Sequence, residues 1–263
     1  MPLVFSAVVP HPPLLIPNIG KDEIKKVKKT REAMEKLEQD LYLSKPDLVM
    51  IISPHGSLFA DAFSINAYTH FFSNFAQFGD LQTKSEWQGD PALATTIRNK
   101  SYEMNLPVQL VSEEALDHGA TVPLFYLTPH LPHSKLMPIG YCNLDNKTHL
   151  DFGYLLKEIS MNSEKRIALI ASGDLSHGLT TDAPAGFSKV GKKFDKEVIK
   201  LLENHNTAGY SQMDSQFVAE AAECGYRSIL ILLGALRGIN YTFKNYSYEG
   251  PFGVGYLVGN FIF

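Results

Sequence analysis

The stretch P-D-L-V-M-I-I-S-P-H-G, residues 46–56, decides the fold. A charged entry leads into five consecutive apolar residues, Leu48 to Ile52, and then into the turn residues Ser53, Pro54 and Gly56. A short apolar run rich in β-branched residues and closed by turn formers reads as a strand buried on both faces. Pro54 has no N–H to give to a ladder, so the strand stops there and His55 falls just beyond its end. Ligands of open α/β sheets bind outside the carboxyl ends of the strands, which makes His55 a candidate for chemistry.

The same arrangement recurs. Leu3–Val9 is an apolar run ended by Pro10-His11-Pro12-Pro13, whose prolines hold the His11 backbone extended and stiff. Residues 166–171, R-I-A-L-I-A, lead into Ser172-Gly173-Asp174-Leu175-Ser176-His177-Gly178. Any one of these histidines reads more simply as a turn residue. Three strands delivering histidines to one edge is a stronger pattern, because parallel strands joined by helical crossovers bring their carboxyl ends together. Between them the pattern alternates. Helices are expected over residues 21–42, 90–105, 150–159, 187–204 and 219–236, the last broken near Gly225. Strands are expected over residues 60–68, Val108–Val111, 136–141, 241–248 and 252–263. The fold class is therefore α/β: a single domain over residues 1–263, with a mostly parallel central sheet flanked by helices and a site at the carboxyl ends of the strands.

Composition bounds the function. The chain has 263 residues, 44% of them hydrophobic, enough for a sizeable core, and no linker-like segment divides it. A net charge of -4 provides no general basic field, so neither nucleic acid nor an anionic membrane is an expected partner. The lysines at 25, 26, 28 and 29 read as a solvated helix face, since acidic residues follow and no aromatics interleave. Two cysteines without paired spacing suit a reducing, cytoplasmic setting and argue against a cysteine zinc cluster. No run approaches the roughly 18 apolar residues of a membrane span, and the N-terminus lacks the basic region of a signal peptide. The phenylalanines at 71, 72, 75 and 78 read as core or subunit-interface packing, with the lining of a pocket for a flat substrate as the other reading, and an oligomer is expected.

The chemistry-bearing residues are His11, His55, His118, His177 and Glu249, with Asp117 and Asp174 beside them. Imidazoles and a carboxylate suit a divalent first-row metal, and two histidines with one carboxylate leave positions open for substrate and dioxygen. A histidine not bound to the metal can move protons near neutral pH. Asp117 either polarises a histidine or caps the helix that follows it, and Glu249, taken locally, reads as a turn glutamate. The H-E-x-x-H and G-x-S-x-G signatures are absent, so zincin and serine-hydrolase readings have no support.

P-H-P-P at 10–13, S-P-H-G at 53–56, L-D-H-G-A-T-V-P-L at 116–124, S-G-D-L-S-H-G at 172–178 and Y-E-G at 248–250 together resemble the B-type chains of the class III extradiol ring-cleavage dioxygenases. The resemblance runs over about residues 3–260, and the superfamily also holds Memo-type proteins. It implies His11, His55 and Glu249 as ligands of iron(II), or of another divalent metal such as zinc. It implies His177 as the acid/base and His118 as a histidine that helps bind substrate or oxygen. The implied reaction is cleavage of a catechol-type or aminophenol-type ring by dioxygen. The other reading it allows is a metal-binding, Memo-like member with a different substrate or a non-catalytic binding role. Related domains occur beside AMMECR1-type and radical-SAM partners.

Overall fold

The computed structural model describes residues 2–263. In chain order the elements are β1 (Leu3–Val9), α1 (Pro17–Gly20), α2 (Lys28–Ser44), β2 (Leu48–Ser53), β3 (Phe63–Asn66), β4 (His70–Ser73), β5 (Glu86–Gln88), α3 (Pro91–Glu103), β6 (Val108–Val111), β7 (Ala115–Leu116), α4 (His118–Leu127), β8 (Lys135–Gly140), α5 (Asn146–Met161) and β9 (Ile167–Ser172). They continue with α6 (Gly191–Glu203), α7 (Thr207–Ser211), α8 (Ser215–Ala221), α9 (Tyr226–Ala235), β10 (Thr242–Glu249) and β11 (Tyr256–Ile262). Eight strands form one sheet in the order β10-β11-β1-β9-β2-β8-β3-β6, and β5-β4-β7 form a small second sheet. The centre of the large sheet is parallel: β1 with β9, β9 with β2, and β2 with β8. The pairs β1–β11, β10–β11 and β3–β8 are antiparallel.

The opening stretch occupies the middle of this sheet as β2, every residue of it buried. Its side chains alternate between two cores. Leu48, Met50 and Ile52 face the layer built by α3, α5, α6 and α9. Val49 and Ile51 face α2 and α4. Both faces are thus covered by helices, which is why the strand reads as an unbroken apolar run. Strand β1 divides the same way at its end, with Val8 on the first side and Val9 on the second.

Several expected boundaries move for identifiable reasons. The helix expected over residues 21–42 begins as a tight 3-10 segment, Lys21–Val27, and becomes α2 only at Lys28. The strand expected over residues 60–68 is the shorter β3, Phe63–Asn66. The segment 219–236 contains the end of α8 and all of α9, separated by the loop holding Cys224 and Gly225. Asp90 caps α3, its side chain accepting from Leu93 N–H, and Pro91 sits in the first turn. Among the phenylalanines, Phe71 and Phe75 are buried in the core, and the Phe78 ring lies edge-on to His118 at 5.2 Å.

Helices α5 and α9 pack closely because each presents a glycine to the other. A Cβ at Gly153 would stand 1.9 Å from the Ile231 carbonyl oxygen, and one at Gly234 would stand 2.2 Å from that of Leu150. This contact seats α9, whose preceding loop carries Cys224 to the sheet edge. Gly153→Val is expected to force the helices apart and lower stability by about 1–3 kcal/mol, the usual cost of overpacking. Chemical denaturation followed by circular dichroism measures it; a change below about 0.5 kcal/mol would mean that the contact relaxes freely.

Candidate metal centre

Three strand ends build the site. Strands β1, β9 and β2 are adjacent and parallel, so His11, His177 and His55 follow strands that end on one edge. His118 reaches the same edge from another direction, as the first residue of α4. Ligand nitrogens of His11, His55 and His118 lie within 4.8 Å of one another. His11 Nε2 and His55 Nε2 are 3.0 Å apart, close to the spacing of adjacent nitrogens around a first-row metal with bonds of roughly 2 Å. The His55 and His118 rings stack with centroids 4.3 Å apart.

Hydrogen bonding sets the direction of the His11 ring. Ser172 Oγ–H donates to the Gly119 carbonyl oxygen at 2.5 Å. Its one proton is thereby committed, so at 2.9 Å it accepts from His11 Nδ1–H. His11 is therefore the Nδ1–H tautomer, and its Nε2 lone pair faces His55. A ligand histidine held through its second nitrogen is the usual means of orienting a metal site. The His11 backbone N–H donates to Asp174 Oδ1 at 2.9 Å, which ties the β1 exit to the loop after β9.

The N-terminus of α4 is clamped by matching contacts. Asp117 accepts from Ala120 N–H as the helix cap and from Ser53 Oγ–H at 2.5 Å. Of its two readings, the cap is realised. A Cβ at Gly119 would meet Ser53 Oγ at 2.5 Å and His55 Cδ2 at 3.2 Å, so only glycine lets α4 approach the end of β2 this closely.

The imidazoles are held neutral. Burial, then the neighbouring histidines, pushes His11 well below its usual value, and burial lowers His55 despite the opposing Asp117 charge. His118 falls to about 4 through burial and the His55 charge. Neutral imidazoles present the lone pairs that a metal requires. The donor set therefore fits a divalent first-row metal, and the three histidines could hold one.

His177 lies close enough that its protonation would lower the basicity of both His11 and His55. Its Nδ1 is buried without a hydrogen-bond partner, while its backbone N–H donates to the Ala222 carbonyl. Burial lowers its pKa.

Glu249, expected as a ligand, has one carboxylate oxygen engaged by a helix. It ends β10 on the same edge, but its Oε1 accepts from Thr30 N–H and Thr30 Oγ1–H, both at 2.7 Å. Helix α2 has no capping side chain at its own N-cap, Val27. The glutamate supplies that cap from a distant strand, where the helix dipole also favours its charge. One oxygen of the carboxylate is thus committed to α2, and the side chains whose ligand nitrogens lie within 4.8 Å of one another are His11, His55 and His118.

Two contributors lie outside the expected set. Ser172 is one. The other is Cys224, whose Sγ lies 3.6 Å from His11 Nε2 and accepts from Asp174 N–H at 3.3 Å. A Cβ at Gly173 would stand 2.1 Å from Gly225 Cα, so two glycines allow the cysteine loop to dock here. Ser172 stands in the sequence as the first residue after an apolar run, and the structure makes it the last residue of β9; nothing local marks Cys224.

A cleft of about 580 Å³ opens over His55 and His118. It is walled by Ser53, Asn66, Gln77, Glu113, Leu116 and Ile139, among others, and His55 is exposed to it.

The family model for the catalytic LigB subunit of aromatic ring-opening dioxygenase matches residues 6–259, and the chain belongs to that family. Protein CA_C1420 of Clostridium acetobutylicum is 32% identical over 95% of this chain. A MEMO1 family protein of Methanosarcina mazei is 30% identical over 51% of it. The 4,5-DOPA dioxygenase extradiol of Mirabilis jalapa is 24% identical over 65% of the chain and of its own length. The matches span 56% of the Clostridium protein and 48% of the Methanosarcina protein. The uncharacterized protein JW3007 from Escherichia coli K12 shares the fold, with a TM-score of 0.65, 18% identity, and coverage of 99% of this chain and 100% of that one. Among the described residues, no helix is long and apolar enough to cross a membrane.

Ser172→Ala removes the acceptor that fixes His11 and is expected to weaken metal binding about 10–100-fold, as loss of such an orienting partner typically does. Competition with a chromogenic chelator measures the affinity, and an unchanged value would remove Ser172 from the site. In the same assay Glu249→Gln should bind metal like the wild type, whereas His55→Ala should not. A Glu249→Gln protein that folds but loses its metal would restore the glutamate as a ligand.

Proposed function

We propose that the chain is a non-haem iron(II) dioxygenase that opens a catechol-type or aminophenol-type ring by extradiol cleavage. The observation that carries the reading is the His11–His55–His118 group: three neutral imidazoles, two of them, His55 and His118, lining an open cleft, with the buried His11 lone pair aimed by Ser172. The family and the Mirabilis relative support the reaction class. His11 and His55 would hold the metal, with His118 as the third nitrogen or as the group facing substrate. Bound iron would supply Lewis acidity, one-electron chemistry and open positions at which substrate and dioxygen meet.

The residues of the chain do the rest. His177 is neutral and its protonation is coupled to that of the pair, which suits it to take a catechol hydroxyl proton and return it later in the reaction. Asp174 and Ser172 keep His11 in place, and the walls of the cleft orient the ring. Both atoms of dioxygen enter the product.

A second reading is favoured by Cys224. A thiol 3.6 Å from His11 Nε2 can replace the missing carboxylate, and a soft donor suits zinc or copper better than an oxygen-activating iron. On this reading the protein is a metal-binding member with another substrate or a binding role. Work beside an AMMECR1-type or radical-SAM partner belongs to this reading. A homo-oligomer and a cytoplasmic setting belong to the same proposal.

Iron(II)-loaded protein under air, mixed with a panel of catechols and aminophenols, should give a ring-opened product visible as new absorbance. His177→Ala should keep stoichiometric metal and lose at least about a hundredfold in kcat, the range of general acid–base catalysis. Full turnover in that variant would exclude its acid/base role. No product from any substrate, together with metal lost on Cys224→Ala, would favour the second reading.

A further inference from the structure

We infer that the cleft over His55 and His118 selects substrates by charge, taking rings whose side chain is cationic and rejecting those that carry a carboxylate, with Glu113 as the residue that decides. The inference rests on this cleft being the substrate site of the reaction proposed above.

The polar groups of the wall divide into those already engaged and those left over. Asn66 is engaged: its Nδ2 donates to the Glu113 carbonyl, and its Oδ1 accepts from the N–H groups of Tyr68 and Glu113. Ser64 donates to the Ser57 carbonyl, and Ser53 donates to Asp117. Asn74 Oδ1 accepts from Ala76 N–H. These contacts hold the wall, and what they leave over, Gln77, the Ser57 hydroxyl and the Asn74 amide nitrogen, is uncharged. Glu113 differs. Asn66 grips its backbone from both sides, so the residue is fixed, while its exposed carboxylate has no ion pair or hydrogen bond among the described residues.

Among the described residues, no lysine or arginine lines the cleft. The two basic residues in segments that approach the sheet edge are turned elsewhere: the Arg227 guanidinium lies over the Tyr141 ring at 5.7 Å, and the Lys244 ammonium lies over Tyr246 at 5.7 Å. The charged wall groups are therefore acidic, Asp117 engaged at the floor and Glu113 free toward the opening. A ligand carboxylate would lose its water here without gaining a cationic partner, whereas an ammonium would gain Glu113. Discrimination of this kind uses both the attraction and the like-charge repulsion.

The test uses three catechols that differ only in the ring substituent: aminoethyl, methyl or carboxymethyl. Each is titrated calorimetrically, without oxygen, into the iron(II)-loaded protein. The expected order of affinity is aminoethyl, then methyl, then carboxymethyl. Glu113→Gln should weaken the aminoethyl compound by about fivefold, the scale of one exposed charge pair, and move the methyl compound less. Glu113→Lys should place the carboxymethyl compound first, and raised salt should narrow the spread in both. The inference is overturned if the carboxymethyl compound binds the wild type at least as tightly as the aminoethyl one, or if neither variant moves the order. Turnover is scored separately. Binding in the expected order without ring opening would overturn the reaction and leave the charge selection supported; ring opening that favours the carboxymethyl compound would overturn the selection alone; binding by none of the three would overturn both.

Discussion

One hydroxyl connects the parts of the site. Ser172 ends the central strand β9, gives its proton to the Gly119 carbonyl of α4, and takes the Nδ1 proton of His11 from β1. A hydroxyl has one proton and cannot donate to both, so the direction of each hydrogen bond follows from the other. That constraint fixes a tautomer, aims a lone pair and seats the helix that carries His118. The neighbouring contact between Ser53 and Asp117 repeats the clamp on the other side of α4.

The site is placed by the sheet and tuned by burial. Parallel pairing of β1, β9 and β2 puts their exits side by side, which brings together histidines far apart in sequence. Desolvation then keeps them uncharged at neutral pH, each discouraging protonation of the next. Two facing nitrogens 3.0 Å apart share one proton, so His55 Nε2–H donates to the His11 Nε2 lone pair, the same lone pair that a metal would take.

Much of this was legible along the chain. The unbroken apolar runs of β1, β2 and β9 required cover on both faces, hence helices on both faces and a parallel sheet. The prolines at 10 and 54 marked where strands end and histidines begin. The alternation of Leu48, Met50 and Ile52 against Val49 and Ile51 follows from the strand period alone. Glu249 shows where such reading stops. Its place at the end of a strand on the correct edge was readable, but its partner was not, because the cap it supplies belongs to a helix 219 residues away.

The sequence by itself determined the class of fold, the edge at which the site lies and the histidines that reach it, because strand period, proline stops and parallel crossovers are local or topological rules. Only the tertiary structure decided which side chains face one another there. It turned Glu249 onto Thr30, brought Cys224 and Ser172 to His11, and left Glu113 free over the cleft. Those outcomes depend on close approaches between distant backbones, Gly173 against Gly225 and Gly119 against Ser53, and on competition among donors for a few acceptors. No window of sequence contains both partners of such a contact, so its geometry exists only once the chain has folded.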